Sequence, residues 1–370
     1  MKGNTMYSFD PTEEQQMLID AVNKYALNDL RVAAHQAEEN KELPKKLVSK
    51  GWELGLLQAS IPESYGGFGE RSAVTGALAL EEMAFGDLAG TLAVITPSLF
   101  ATPILLAGSE EQKKEYLPKV IAGDWSPYTA ALIEYAFDFD PNDLKTTATL
   151  DSAGCVLNGE KAFVPFANDA QAILVYANLN GQTQGFIIPK DSAGLTISDE
   201  REKLMSLNAL PLYRVKLEDV QVPASMRLGG ASGHDFEPIL ASMRVANAAT
   251  AVGVANAAFE YSRDYAKERE VFGVKVAQKQ AIAFMLAEMR TEIEAMRLLT
   301  WSAAWKLDAH KEDACIEAYL ASTGAADMAM MVTDRAVQIL GGHGYIREHP
   351  VEMWMRNGRG FAMLTGLAIV

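Results

Sequence analysis

Apolar positions in the first third of the chain recur at helical steps. Leu18, Val22, Tyr25 and Ala26 fall three or four residues apart, the spacing of one helix face. Asp10-Pro11-Thr12-Glu13 precedes them as a start signal. Asp10 would cap, Pro11 would take the first helical position, and Glu13 would sit near the positive end of the dipole. Ser109-x-x-Gln112 has the form of a capping box for a short helix over residues 112–117, which Pro118 would end. Between these helices, residues 61–69 hold one proline and three glycines and read as a loop.

From about residue 126 the pattern changes to short apolar runs bounded by Asn, Gly, Asp and Pro. The runs at 172–177 and 185–189 flank Asn178-Leu179-Asn180-Gly181, which predicts a hairpin. Residues 213–222 alternate apolar and polar up to Pro223, and a glycine-rich stretch at 228–233 closes the unit. Long helical patterns then return over 236–267, 277–307 and 312–340. The second carries Ile282, Met285, Leu286, Met289, Ile293, Met296 and Leu299. The third carries Ile316, Tyr319, Leu320, Met330, Val337 and Leu340. Both stripes read as bundle core. The expected fold is α+β and multidomain: an N-terminal helical domain over 1–125, a central β domain over 126–228 and a C-terminal four-helix bundle over 229–370. No internal repeat interrupts this order.

Composition narrows the function. The 370 residues are 49% apolar and 22% charged, the balance of a folded globular chain. The formal net charge of −15 argues against an extended nucleic-acid surface, which needs Lys and Arg to neutralise phosphates. One phosphate-bearing small ligand held by a local Arg stays compatible with it. No run of about 18 uninterrupted apolar residues suggests a membrane span, and the first residues lack the apolar core of a signal peptide; a cytoplasmic protein is expected. Cys155 and Cys315 read as reduced thiols, and the five histidines show no metal-binding spacing.

Two C-terminal stretches stand out. Arg269-Glu270-Val271-Phe272-Gly273, with Gln280 seven residues on, joins two helical patterns. Gln338-Ile339-Leu340-Gly341-Gly342-His343-Gly344-Tyr345 ends the last long one. The glycines serve as a helix C-cap and turn, or they leave bare backbone for a ligand to approach. Arg269 is a solvated charge, or it makes a charge-assisted bond to a pyrophosphate.

With the helix–β–helix order, these stretches resemble the acyl-CoA dehydrogenase family. The likeness also includes Ile61-Pro62-Glu63-x-Tyr65-Gly66-Gly67-x-Gly69, Gln112-x-x-x-Tyr116-Leu117-Pro118, Asn158-Gly159-x-Lys161 and Val222-Pro223. The resemblance implies an FAD-dependent oxidoreductase that converts an acyl-CoA thioester to the 2,3-enoyl-CoA and passes electrons to electron transfer flavoprotein. It assigns Arg269, Phe272, Gln280, Gln338, Gly341 and Gly342 to the adenosine and pyrophosphate side of an FAD site.

The family's catalytic positions are altered. Thr365, in Leu364-Thr365-Gly366-Leu367, stands where the family carries the Glu of E-G-T, and Met243 stands at the alternative base position before Arg244. Neither can remove a carbon-bound proton. The family's T-E-P-x-x-G-S-D is Ile133-Glu134-Tyr135-Ala136-Phe137-Asp138-Phe139-Asp140 here, and W-I-T is Phe163-Val164-Pro165. In the family each FAD lies across a dimer interface. Retention of the adenosine half and loss of the ring half therefore imply the non-catalytic subunit of an α2β2-type assembly with a homologous, complete subunit. A homo-oligomer, a same-fold flavin monooxygenase, and a structural or regulatory homologue without cofactor are the alternatives. No catalytic residue is assigned in this chain.

Overall fold

A computed structural model describes residues 10–152 and 154–370. The N-terminal region comprises α1 (Glu13–Tyr25), α2 (Arg31–Asn40), α3 (Lys45–Trp52), α4 (Leu56–Ala59), α5 (Ala73–Gly86), α6 (Leu88–Val94), α7 (Ser98–Ala107) and α8 (Glu110–Ile121). The cap of α1 is Thr12, not Asp10. The Thr12 hydroxyl accepts from the Gln15 amide at 3.2 Å, and the Gln15 side chain accepts from the Thr12 amide at 2.9 Å. This reciprocal pair satisfies two otherwise open donors at once. Ser109 and Gln112 form the same box at the start of α8. Pro118 does not end α8, which continues to Ile121 because Leu117, Val120 and Ile121 are buried. Their burial outweighs the hydrogen bond the proline cannot make.

The central region folds into β1 (Thr129–Ala131), β2 (Thr147–Leu150), β3 (Gly154–Pro165), β4 (Ala172–Leu179), β5 (Gln182–Pro189), β6 (Leu195–Ile197) and β7 (Leu212–Pro223). The sheet order is β1-β4-β2-β3-β7-β6, with β5 beside β4. β1 runs parallel to β4, and the β3–β7, β4–β5 and β6–β7 pairs are antiparallel. The β4–β5 hairpin turns on Asn180 and Gly181, at φ 54° and 83°. Two positive φ values define the type I′ turn, for which Asn-Gly is the favoured pair.

The C-terminal region holds α9 (Glu237–Glu268), a small hairpin of β8 (Glu270–Val271) and β9 (Val274–Lys275), α10 (Gln280–Asp308), α11 (Ala314–Leu340) and α12 (Val351–Gly360). By length and composition α9 could cross a bilayer, but 89% of its apolar window is buried inside the protein. It packs against α5, α10 and α11.

The stripe read along α11 is partly misplaced. Ile316, Tyr319 and Leu320 are exposed, whereas Ala318, Ala321, Ala325, Ala329 and Ala336 are buried. Alanine lets the α9 and α11 backbones approach closely, so the small residues take the contact face and the large ones are turned outward.

Candidate functional site

The residues singled out in the sequence fall into two groups at opposite ends of α9. Arg269 follows the last residue of α9, Phe272 and Gly273 form the β8–β9 turn, and Gln280 opens α10. Gln338 lies in the last turn of α11, and Gly341 caps it at φ 58°, ψ −128°. Such a conformation is essentially confined to glycine. A Cβ built on Gly273, Gly341 or Gly342 would meet nothing within 4 Å.

Helices α9 and α11 end on the same side of the bundle, where the Tyr265 hydroxyl hydrogen-bonds His343 Nδ1 at 3.0 Å. The bond ties the glycine run to the turn of α9 that precedes Arg269. Sequence reading did not foresee this link, because nothing in one chain's spacing pairs position 265 with 343.

All six assigned residues, Arg269, Phe272, Gln280, Gln338, Gly341 and Gly342, are exposed. Lys275 pairs with Glu270 at 2.9 Å across the hairpin, while the Arg269 guanidinium has no ion pair or hydrogen bond among the described residues. Phe272 is 96% exposed at φ 53°, with the Lys279 ammonium 5.8 Å from its ring centre. An open glycine backbone, an uncommitted cation and a bare aromatic ring thus share one surface.

The other group surrounds a cleft between the sheet and the bundle. Its outer part, about 400 Å³, is lined by Ile133, Glu134, Tyr135, Ala136, Phe137, Phe139, Phe163, Ala362 and Met363. Its inner part, about 250 Å³, shares Phe139, Ala362 and Met363 and reaches Arg244, Asp327 and Thr365. A register shift between Lys161 and Val164 interrupts the β3–β7 ladder. It leaves Phe163 at φ 55° with its ring 5.5 Å from that of Tyr135. A bulge of this kind redirects a side chain. Phe139 packs against both neighbouring cores.

Glu134 is no free base. It accepts from the Lys161 ammonium at 2.7 Å and from the amides of Lys145 and Thr146 at 2.7 and 2.9 Å. Burial works to raise its pKa, but Lys161 and these donors outweigh it and hold the carboxyl below its ordinary range. The pair is fully enclosed and structural. Met243 is buried in α9. Asp327, on α11, is the carboxylate at the inner cavity that sequence reading passed over. Among the described residues no group of three or more His, Cys, Asp or Glu could hold a metal.

The order of a helical domain, a β domain and a helical bundle defines the class of fold, and the comparisons make it specific. The descriptions "Acyl-CoA dehydrogenase, N-terminal domain", "middle domain" and "C-terminal domain" match residues 12–124, 131–220 and 236–368. The chain belongs to the acyl-CoA dehydrogenase family. It is 34% identical to an acyl-CoA dehydrogenase of Bacillus subtilis, over 94% of this chain and 93% of that one. Butyryl-CoA dehydrogenase from Megasphaera elsdenii superposes with a TM-score of 0.87 at 30% identity, covering 97% and 96% of the two chains. A chain from the structure of the electron transferring flavoprotein of Acidaminococcus fermentans gives 0.87 at 32% identity, with the same coverages.

Proposed function

We propose that this chain is a subunit of an FAD-dependent acyl-CoA dehydrogenase assembly, supplying the adenosine and pyrophosphate half of a flavin site whose ring lies in a homologous partner subunit. The distance between its two groups of residues carries this reading. Position 244 and the end of α9 at 268 are 24 residues apart in one continuous helix, about 36 Å at 1.5 Å per residue. One bound dinucleotide cannot reach from Arg244 to Arg269 of the same chain, so a site completed by both ends needs two chains.

The two ends also differ in their fitness for the cofactor. At the bundle end, Arg269 offers a fork of donors suited to a pyrophosphate. Gly341 and Gly342 leave room for close approach, and Gln280 and Gln338 bring amides that both donate and accept. At the cleft, Ile133, Phe139 and Phe163 carry no side-chain donor. The fit is to half of the group.

FAD held at its dinucleotide end by Arg269, Gln280, Gln338, Gly341 and Gly342 would supply hydride-accepting chemistry toward the acyl β-carbon. The residues of this chain bind and orient its dinucleotide end, and the α-proton is removed by a carboxylate of the partner. Electron transfer flavoprotein is the expected acceptor.

Flavin absorbance after purification tests the reading. The chain is prepared alone and together with a homologue that has Glu at the base position. The co-purified complex should be yellow and the chain alone nearly colourless, and Arg269→Ala should strip FAD from the complex. Tightly flavinated homomers, or a complex whose FAD content ignores Arg269→Ala, would overturn it.

A further inference from the structure

Gly341 and Gly342 lie at the surface with nothing packed over them, since a Cβ on either would meet no atom within 4 Å. Glycine also loses more conformational freedom on ordering than any other residue. A site built on such backbone needs attachments on both sides to hold its place. On one side α11 provides them, because the Gly341 N–H donates to the carbonyls of Val337 and Gln338. On the other side the run continues through His343 and Gly344 toward α12.

That second side is fastened to α9 at two points. Tyr261 and Tyr265 are one turn apart on α9 and project from the same face. The Tyr265 hydroxyl meets His343 Nδ1 at 3.0 Å, and the Tyr261 hydroxyl meets His349 Nδ1 at 2.7 Å. The two imidazoles lie nearly parallel, with centres 5.2 Å apart and planes 12° apart. The Tyr265 ring stands edge-on to both, at 5.9 Å between centres in each case. Gly344 is buried, and a Cβ there would lie 2.4 Å from the Val337 carbonyl oxygen. The backbone beside His343 is thus seated directly on α11.

The two tyrosine bonds hold different things. His343 adjoins Gly342, and the Tyr265 carbonyl accepts from the Arg269 N–H at 2.9 Å. Tyr265 therefore grips the arginine's backbone with one oxygen and the glycine run with the other. His349 instead precedes Pro350, the cap of α12, so the Tyr261 bond ends away from the glycines.

On the reading of this surface as an FAD half-site, we propose that Tyr265 and His343 are positioning residues for the dinucleotide, setting the Gly341-Gly342 backbone against Arg269 so that one pyrophosphate is reached from both. Neither side chain needs to touch the cofactor. With the ring proton on Nε2, the Tyr265 hydroxyl donates to Nδ1. A run ordered in advance spares FAD the cost of ordering it.

Release of FAD from the co-purified complex, followed by flavin fluorescence after dilution, tests this role. Melting temperatures and hydrogen–deuterium exchange of the cofactor-free chain are measured alongside. Tyr265→Phe keeps the ring and removes only the bond. It should speed release about 3- to 10-fold, what one net hydrogen bond is worth, and speed amide exchange at residues 341–345 of the cofactor-free chain. His343→Leu should do the same. His343→Asn should restore slow release, because its Oδ1 takes the place of Nδ1 as acceptor. Tyr261→Phe, which removes a bond of the same kind, should lower the melting temperature as much as Tyr265→Phe and leave release unchanged. Unchanged release in Tyr265→Phe, no rescue by His343→Asn, or equal acceleration in Tyr261→Phe would each overturn the positioning role. Arg269→Ala keeps the two questions apart. A complex indifferent to it refutes the half-site and this role together, whereas one that loses FAD on Arg269→Ala and ignores Tyr265→Phe refutes the positioning alone.

Discussion

Two hairpins in this protein share a backbone and differ in what stands on it. Between β4 and β5 the turn residues are Asn180 and Gly181, at φ 54° and 83°; between β8 and β9 they are Phe272 and Gly273, at φ 53° and 77°. Both loops are two residues long. The first uses the pair that a type I′ turn favours. The second places a large aromatic residue at positive φ, where side chains other than Asn, Asp and Gly are strained, and leaves its ring in solvent. Local stability explains Asn180 and cannot explain Phe272. A residue held against its conformational preference and outside the core points to a ligand or partner. The same distinction separates Lys161 and Glu134, paired within the fold, from Arg269 and Arg244, which have no acceptor among the described residues.

The largest effect expected from this division is catalytic. The purified chain, supplied with FAD and an acyl-CoA, should turn over about 10² to 10⁴ more slowly than a relative with Glu at the base position, the usual contribution of a general base. Flavin bleaching followed by stopped flow measures it. Turnover at the relative's rate would break the division, and loss of that turnover in Asp327→Asn would then identify the base.

The second effect is on stability. Lys161→Met leaves the Glu134 carboxylate buried beside only its two backbone donors, and breaking such an enclosed pair costs about 3–5 kcal/mol. Urea unfolding should show a loss of this size. A change within about 0.5 kcal/mol, the range of ordinary surface substitutions, would place the pair outside the group of residues that hold the fold.

Both groups were only partly legible in the sequence. The order of helical, β and helical regions could be read because periodicity changes sharply near its borders, and the β4–β5 turn because Asn-Gly is a local signal. The outward turn of Ile316, Tyr319 and Leu320 was hidden. Which face of α11 is buried depends on how closely α9 approaches, and the alanines that permit this carry little hydropathic signal. The Arg269 group was singled out through family likeness alone. Its tie through Tyr265 and His343, the bulge that redirects Phe163, and the place of Asp327 arise only when distant segments pack together.

A third, smaller effect concerns pH. Asp87 caps α6 from a buried position, its carboxylate accepting from the Gly90 amide at 2.7 Å. Burial pushes its pKa from 3.8 up to about 6, with that amide opposing. The folded state therefore holds the proton more tightly than the unfolded one. Stability from this group is complete below about pH 4 and is lost as pH rises through 6, by about 2–3 kcal/mol. Asparagine caps as well as aspartate, so Asp87→Asn should keep the helix start and flatten this part of the profile. Melting curves at pH 4, 5, 6 and 7 decide it. A variant whose slope matches the parent's would assign the dependence to other groups.

The smallest effect bears most directly on the two hairpins. Phe272→Asn gives the β8–β9 turn the residue pair of the β4–β5 turn. Strain at positive φ is relieved, and no core contact is lost because the ring is 96% exposed. Only the Lys279 ammonium, 5.8 Å from the ring centre, loses a partner, and an exposed cation–π contact is worth about 0.5–1 kcal/mol at most. Relief of a strained non-glycine residue gives about 1–3 kcal/mol, so the net change should lie between none and a gain of about 2.5 kcal/mol. The FAD content of the co-purified complex should move the other way and fall. Measured together, the melting temperature and the flavin absorbance separate two explanations of Phe272. A more stable chain that binds less FAD shows the phenylalanine kept for the cofactor at the expense of the turn. A variant that loses stability shows that Phe272 belongs to the fold after all, and the contrast between the hairpins then fails at its own starting point.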